Sequence, residues 1–186
     1  WGGESSNAVL RGFTIQNGLA TDNGGGGILL YGSTLRNCII RDNECTWSTY
    51  SRGGGGIEAI YTCTIENNLI YGNQCQYVGG GLHLAENGNY NIINNVFYNN
   101  SIISGWGGGV YIHMGSATIM NNIFSQNNGG NLVSHNNNDF GEVSYNNIGM
   151  EDSWGQGNIY GDPLFFNQND GDFHLQSISP CIDTGH

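Results

Sequence analysis

Lysine does not occur in this chain, and its four arginines (Arg11, Arg36, Arg41, Arg52) all fall in the first third. Nothing after Arg52 carries a fixed positive charge, and the formal net charge is −11. Binding to nucleic acid requires basic side chains that displace counterions from phosphates, so that class of partner is excluded. An anionic membrane surface is disfavoured on the same ground. Polyuronates would be repelled unless a divalent cation intervened. Proline occurs only twice, good helix formers are scarce, and no apolar run approaches the length that spans a bilayer. Hydrophobic content is a modest 38%, which would fit a disordered low-complexity chain, but the apolar positions are periodic and disorder is rejected. With no initiator methionine and no signal peptide ahead of Trp1, the sequence reads as a mature or excised piece of something longer.

Glycine and asparagine are what the chain has in abundance. A run of glycines followed by an aliphatic residue occurs four times, as Gly25-Gly26-Gly27-Ile28, Gly54-Gly55-Gly56-Ile57, Gly79-Gly80-Gly81-Leu82 and Gly107-Gly108-Gly109-Val110. A second signature follows on nearly the same interval: Asn37-Cys38-Ile39-Ile40, Asn67-Asn68-Leu69-Ile70, Asn94-Asn95-Val96-Phe97 and Asn121-Asn122-Ile123-Phe124. Recurrence at such an interval marks a structural repeat. After each glycine run, Ile28/Leu30, Ile57/Ala59, Leu82/Leu84 and Val110/Ile112 alternate with Leu29/Tyr31, Glu58/Ile60, His83/Ala85 and Tyr111/His113. A period of two means strand, with one set facing a core and the other facing out.

Two further short strands, one ending at Leu35, Ile65, Ile92 and Ile119 and one carrying Ile39, Leu69, Val96 and Ile123, complete each turn. Three strands per turn with no helical period predict an all-β parallel β-helix of about five to six coils in one domain. Regular coils are expected over 8–131, and a degenerate last coil and cap over 132–186, because the end of a solenoid must protect its edges. Equivalent asparagines should stack in the columns Asn37/Asn67/Asn94/Asn121 and Asn43/Asn73/Asn100/Asn127, and the glycine columns should meet a recurring positive φ.

These repeats resemble those of right-handed, pectate-lyase-like parallel β-helix proteins. The segment Asp162-Pro163-Leu164-Phe165 through Asp172-Phe173-His174-Leu175 to Ser179-Pro180-Cys181-Ile182-Asp183 is similar to the closing part of large secreted bacterial proteins of that type. Phe97-Tyr98-Asn99-Asn100 and Phe124-Ser125-Gln126-Asn127 also resemble repeats of polymorphic outer-membrane adhesins. The resemblance implies a secreted or cell-surface bacterial setting. It leaves function open, since the fold hosts lyases, hydrolases, epimerases and proteins without catalysis.

The outward column Leu29/Glu58/His83/Tyr111, with Tyr31/Ile60/Ala85/His113 beside it, is the candidate chemical face. Carboxylate, imidazole and phenol one strand spacing apart, about 4.8 Å, suit proton abstraction and protonation of a leaving oxygen. Equally, the column is what an ordinary solvated face would show. No arginine or lysine is expected near it, and a Ca²⁺ replacing one would find a single carboxylate where several oxygen ligands are wanted. No cofactor or metal is therefore assigned. Asp42 and Glu44 beside Arg41 read as a surface ion pair, and Asn169-Asp170-Gly171-Asp172 as a turn between two strands. Trp47, Tyr50, Tyr77 and Trp106 precede the glycines of successive coils. In line they would suit stacking on neutral sugar rings; packed on one another they would simply cover the turns.

Cys45 and Cys75 occupy equivalent positions, within disulfide reach or as two buried thiols, among five cysteines. The resulting expectation is a non-catalytic surface segment, structural or glycan-binding, with end-to-end self-association open to it. The alternative is a polysaccharide-active lyase or epimerase using Glu58, His83 and Tyr111.

Overall fold

The computed structural model describes residues 8–49, 51–136, 140–149 and 155–183. The chain winds into a parallel β-solenoid of about five turns. Its first sheet stacks Val9–Arg11, Thr34–Arg36, Thr64–Glu66, Asn89–Ile93, Ser116–Met120 and Phe140–Ser144. The second stacks Thr14–Gln16, Ile39–Arg41, Leu69–Tyr71, Val96–Tyr98 and Ile123–Ser125. A third consists of the two-residue strands Leu19–Ala20, Glu44–Cys45, Gln74–Cys75 and Ser101–Ile102. The fourth stacks Ile28–Tyr31, Ile57–Ile60, Leu82–Leu84, Val110–Ile112 and Leu132–Ser134.

A regular coil thus has four strands where the sequence suggested three. The extra corner comes from a left-handed residue: Asn17, Asp42, Gly72, Asn99 and Gln126 have φ between 50° and 64°. Ordinary L-residues lose about 1–2 kcal/mol in that conformation, so glycine, asparagine and aspartate favour such corners. The corner between the first and second sheets is built the same way, with Asn37, Asn67, Asn94 and Asn121 at φ 52° to 57°.

That geometry corrects one of the two expected asparagine columns. Asn37, Asn67, Asn94 and Asn121 shape the corner, and the hydrogen-bonded ladder runs through the next residue. Asn68 donates its backbone N–H and its Nδ2 to Oδ1 of Asn95, at 3.0 Å each. Asn95 does the same to Asn122, and Asn122 to Asn146. Each Nδ2 also donates to a carbonyl of the preceding coil, as Asn95 does to Ile65 at 2.8 Å. The other expected column, Asn43/Asn73/Asn100/Asn127, forms a ladder of the same kind.

Inside, like residues pile up. Leu35, Ile65, Ile92 and Ile119 come from the first sheet, Ile40, Ile70, Phe97 and Phe124 from the second, and Ala59, Leu84 and Ile112 from the fourth, all fully buried. The rings of Phe97 and Phe124 stack at 4.9 Å and 4°. Positive φ occurs at Gly54, Gly79 and Gly107. The next glycine in each run is required for a different reason: a Cβ on Gly80 would lie 2.5 Å from the Ser101 carbonyl oxygen and 2.6 Å from that of Gly108.

Beyond Ser144, among the described residues, the coil is carried on by isolated bridges, Ile123 to Asn147, Ser144 to Gln156 and Asn147 to Ile159, and by the ladder bonds from Asn146 to Asn158. Phe165–Asn167 and Asp172–Leu175 then form an antiparallel hairpin around a 3-10 turn, with Gly171 at φ 80°. The expected turn at Asn169–Asp172 is found there. The hairpin lies along the flank of the second sheet, where Phe173 meets Tyr71 and Tyr98, each at 5.2 Å. Among the described residues no helix is long and apolar enough to cross a membrane.

Candidate functional site

The register of the fourth sheet sets Leu29, Glu58, His83, Tyr111 and Val133 side by side in one outward column. The period-two reading of this face is correct, but its exposure is not what that reading implied. Glu58 and His83 are 0% exposed and Tyr111 is 1% exposed. At Glu58 and His83 part of the cover comes from Arg52 and Gly53, in a connection between Cys45 and Ile57 that is longer in sequence than its counterpart between Cys75 and Leu82. Gly79 packs against His83 and Gly107 against Tyr111. The longer connection turns Arg52 back onto the sheet, where Nε meets Glu58 Oε1 at 2.6 Å. The expectation that no cation stands near this column is therefore overturned. Alternation within a strand reports which face a residue takes; it carries no information about a loop that folds over that face.

Burial pushes the Glu58 carboxyl above its ordinary range, opposed by the hydrogen bond and charge of Arg52. For Arg52, burial works against the charge, but the contact with Glu58 outweighs it and the net displacement is upward. Burial dominates at His83, and with the neighbouring His113 it pushes the imidazole down to about 3, so the ring is neutral at physiological pH. Glu58 Oε2 and both ring nitrogens of His83 are buried without a hydrogen-bond partner. The backbone of Gly53 lies beside both side chains and favours the charged form of each, against the effect of burial.

The parallel column holds Tyr31, Ile60, Ala85 and His113, and it continues into His135, whose backbone N–H reaches the Ile112 carbonyl at 2.8 Å. His113 is buried, with Nδ1 3.3 Å from the Ala85 carbonyl oxygen, and its ring packs 6.2 Å from His83 and 5.4 Å from His135. Tyr111 hydroxyl lies 3.0 Å from Nδ1 of the exposed His135. His135 was missed because it falls beyond Asn131, where the repeat signature fades. Arg52 was missed because it sits in a connection whose length varies between coils.

The aromatics divide. Trp47 is half-buried against the small cluster of Cys45, Cys75 and Ile102. Tyr77 and Trp106 meet edge to face at 5.9 Å, with Trp106 51% exposed. Tyr31 packs 6.1 Å from Tyr61, the two rings being 37% and 56% exposed; Tyr61 was not singled out because it follows the repeat rather than belonging to it. Tyr50 lies outside the described residues. Cys45 and Cys75 are register partners and free thiols. The surface pair expected near Arg41 forms with Asp42 at 2.9 Å. Among the described residues no group of three or more His, Cys, Asp or Glu side chains is placed to hold a metal ion.

A family model described as the right handed beta helix region matches residues 3–161. No curated protein and no solved structure matches the chain at a significant level.

Proposed function

The chain belongs to the right-handed beta helix family, and on that footing we propose that it is a non-catalytic, extracellular or surface-exposed scaffold segment whose fourth sheet presents aromatic pairs to neutral glycans. One contrast carries this reading. The groups that could move protons, Glu58 and His83, are sealed at 0% exposure, while Tyr31, Tyr61 and Trp106 at the margins of the same sheet stand out to solvent and Tyr77 is half-buried. Tyr31 and Tyr61 lie where the chain leaves the sheet, and Tyr77 and Trp106 where it enters. Exposed rings offer flat apolar faces to the C–H side of a sugar. A net charge of −11, with Arg52 already engaged by Glu58, argues against a polyanionic ligand.

A second reading, a lyase or epimerase acting on polysaccharide, draws on the unpartnered Glu58 Oε2 and His83 nitrogens beside Arg52. It requires the residues packed over Glu58 and His83, Arg52 and Gly53 among them, to move before a substrate touches either group. The two readings separate in a single experiment. Neutral and uronate glycans are incubated with the protein, with and without calcium, and both binding and unsaturated products are measured. Binding of a neutral glycan that weakens about tenfold in Tyr31→Ala or Trp106→Ala, with no product and no effect of His83→Ala, supports the scaffold. Product formation abolished by His83→Ala would overturn it.

A further inference from the structure

From the geometry of the third sheet we propose that Cys45 and Cys75 are a covalent cross-linking site, joined as a disulfide that staples two successive coils when the protein folds under oxidising conditions. Of the five cysteines, these two alone share a column among the described residues. Cys45 and Cys75 are in-register partners on adjacent parallel strands, about 4.8 Å apart, inside the Cα range that a disulfide bridges. Both side chains point into the same small core, with Ile102. A methyl group placed on Gly53 would lie 3.3 Å from Cys75 Sγ and 3.8 Å from Cys45 Sγ, so both sulfurs sit beneath one stretch of backbone.

The other cysteines are differently placed. Cys38 heads the asparagine ladder, where its backbone N–H bonds to Asn68 and its sulfur contacts the Arg36 carbonyl oxygen at 3.3 Å. Cys63 contacts the Ile60 carbonyl oxygen at 3.4 Å, and Cys181 accepts from Asn147 Nδ2 at 3.1 Å. The pair is also prepared for reaction. The hydrogen bond from Cys45 favours the thiolate of Cys75, while the same contact, followed by burial, pushes Cys45 up. Cys75 is then the attacking sulfur.

With a low-molecular-weight disulfide such as oxidised glutathione, the Cys75 thiolate attacks one glutathione sulfur and expels the other glutathione as a thiolate. Cys45, losing its proton, then attacks the Cys75 sulfur of the mixed disulfide and expels the second glutathione. Two electrons and two protons pass from the protein to the oxidant. Because both thiols are buried in the folded chain, the exchange belongs to folding, after the two strands have paired and brought the sulfurs together and before the backbone at Gly53 packs over them. The bond would then tether the connection that follows Cys45, and Arg52 with it, at its base.

The test is to reduce and unfold the whole chain, refold it in a mixture of reduced and oxidised glutathione, and alkylate the remaining thiols under denaturing conditions before mass analysis. Three alkylated cysteines and one cross-linked peptide containing Cys45 and Cys75 are expected. A Cys75→Ala chain treated in the same way should carry no internal cross-link. Five alkylated cysteines in the refolded wild-type chain, or a cross-link between any other pair, would overturn the proposal.

Discussion

At the scale of the residue, His83 and Arg52 decide how the covered column behaves. The folded-state pKa of His83, about 3, lies below its ordinary value of 6.5, so the unfolded chain takes up a proton that the folded chain refuses. The stability linked to this ring is complete above about pH 6.5 and is lost as pH falls toward 3, by about 3 kcal/mol at pH 4. Glu58 runs the other way. Its carboxyl is displaced upward, so folded stability declines as pH rises from the ordinary carboxylate range through the displaced value. His83→Leu is expected to flatten the acid limb of a pH series of urea unfolding midpoints; an unchanged limb would place the dominant proton uptake elsewhere. Arg52→Ala strands a fully buried carboxylate and is expected to cost about 3 kcal/mol at neutral pH. Replacing both partners, as Arg52→Met with Glu58→Leu, should cost much less, because no buried charge remains. A double-mutant cycle measures the difference. Both effects depend on burial, which the sequence did not disclose. It placed Glu58, His83 and Tyr111 in one file correctly, since two-residue alternation fixes direction. What lies over Glu58 includes Arg52, from a connection whose extra length has no periodic signature.

The element that holds the solenoid's corner is the buried amide ladder, and it separates two neighbouring asparagines that look alike in sequence. Asn95 accepts two hydrogen bonds from Asn68, donates two to Asn122 and one to the Ile65 carbonyl. Asn95→Ala leaves the buried donors of Asn68 without an acceptor, and a loss of about 3 kcal/mol is expected. Asn94 supplies only its left-handed backbone, at φ 56°. Asn94→Gly should therefore be near neutral, and Asn94→Ala should cost about 1 kcal/mol. Chemical denaturation of the three variants checks the order. Equal losses at the two positions would mean that the corner and the ladder are not separate devices. The sequence showed both asparagines recurring but could not say which amide turned inward, because a corner residue and a ladder residue are drawn from the same small set of amino acids. The third sheet was hidden for a related reason. A two-residue strand such as Gln74–Cys75 is too short to display alternation, and only the left-handed Gly72 before it marks the corner.

For the whole molecule, a solenoid's stability is a sum over neighbours, so anything that touches several coils at once acts as a brace. The hairpin of Phe165–Asn167 and Asp172–Leu175 is such a part. Phe173 meets Tyr71 of one coil and Tyr98 of the next, and Phe165 meets Tyr98 at 6.1 Å. Its turn faces Ile39, Leu69 and Val96 across a groove that spans three coils. This aromatic cluster joins residues far apart in the chain, which no local repeat could announce. Phe173→Ala removes the central ring, and because that ring is only half-buried, a loss of about 2 kcal/mol is expected, below the usual cost in a sealed core. Local opening follows the weakest contacts. Amide hydrogen exchange should therefore quicken across Asp172–Leu175 in the variant, and limited proteolysis should cut within 164–176. Protection at Asn68, Asn95 and Asn122, whose ladder does not involve the hairpin, should stay as in the parent. If protection collapses at the ladder as well, the hairpin folds as one unit with the coils and is no separable brace.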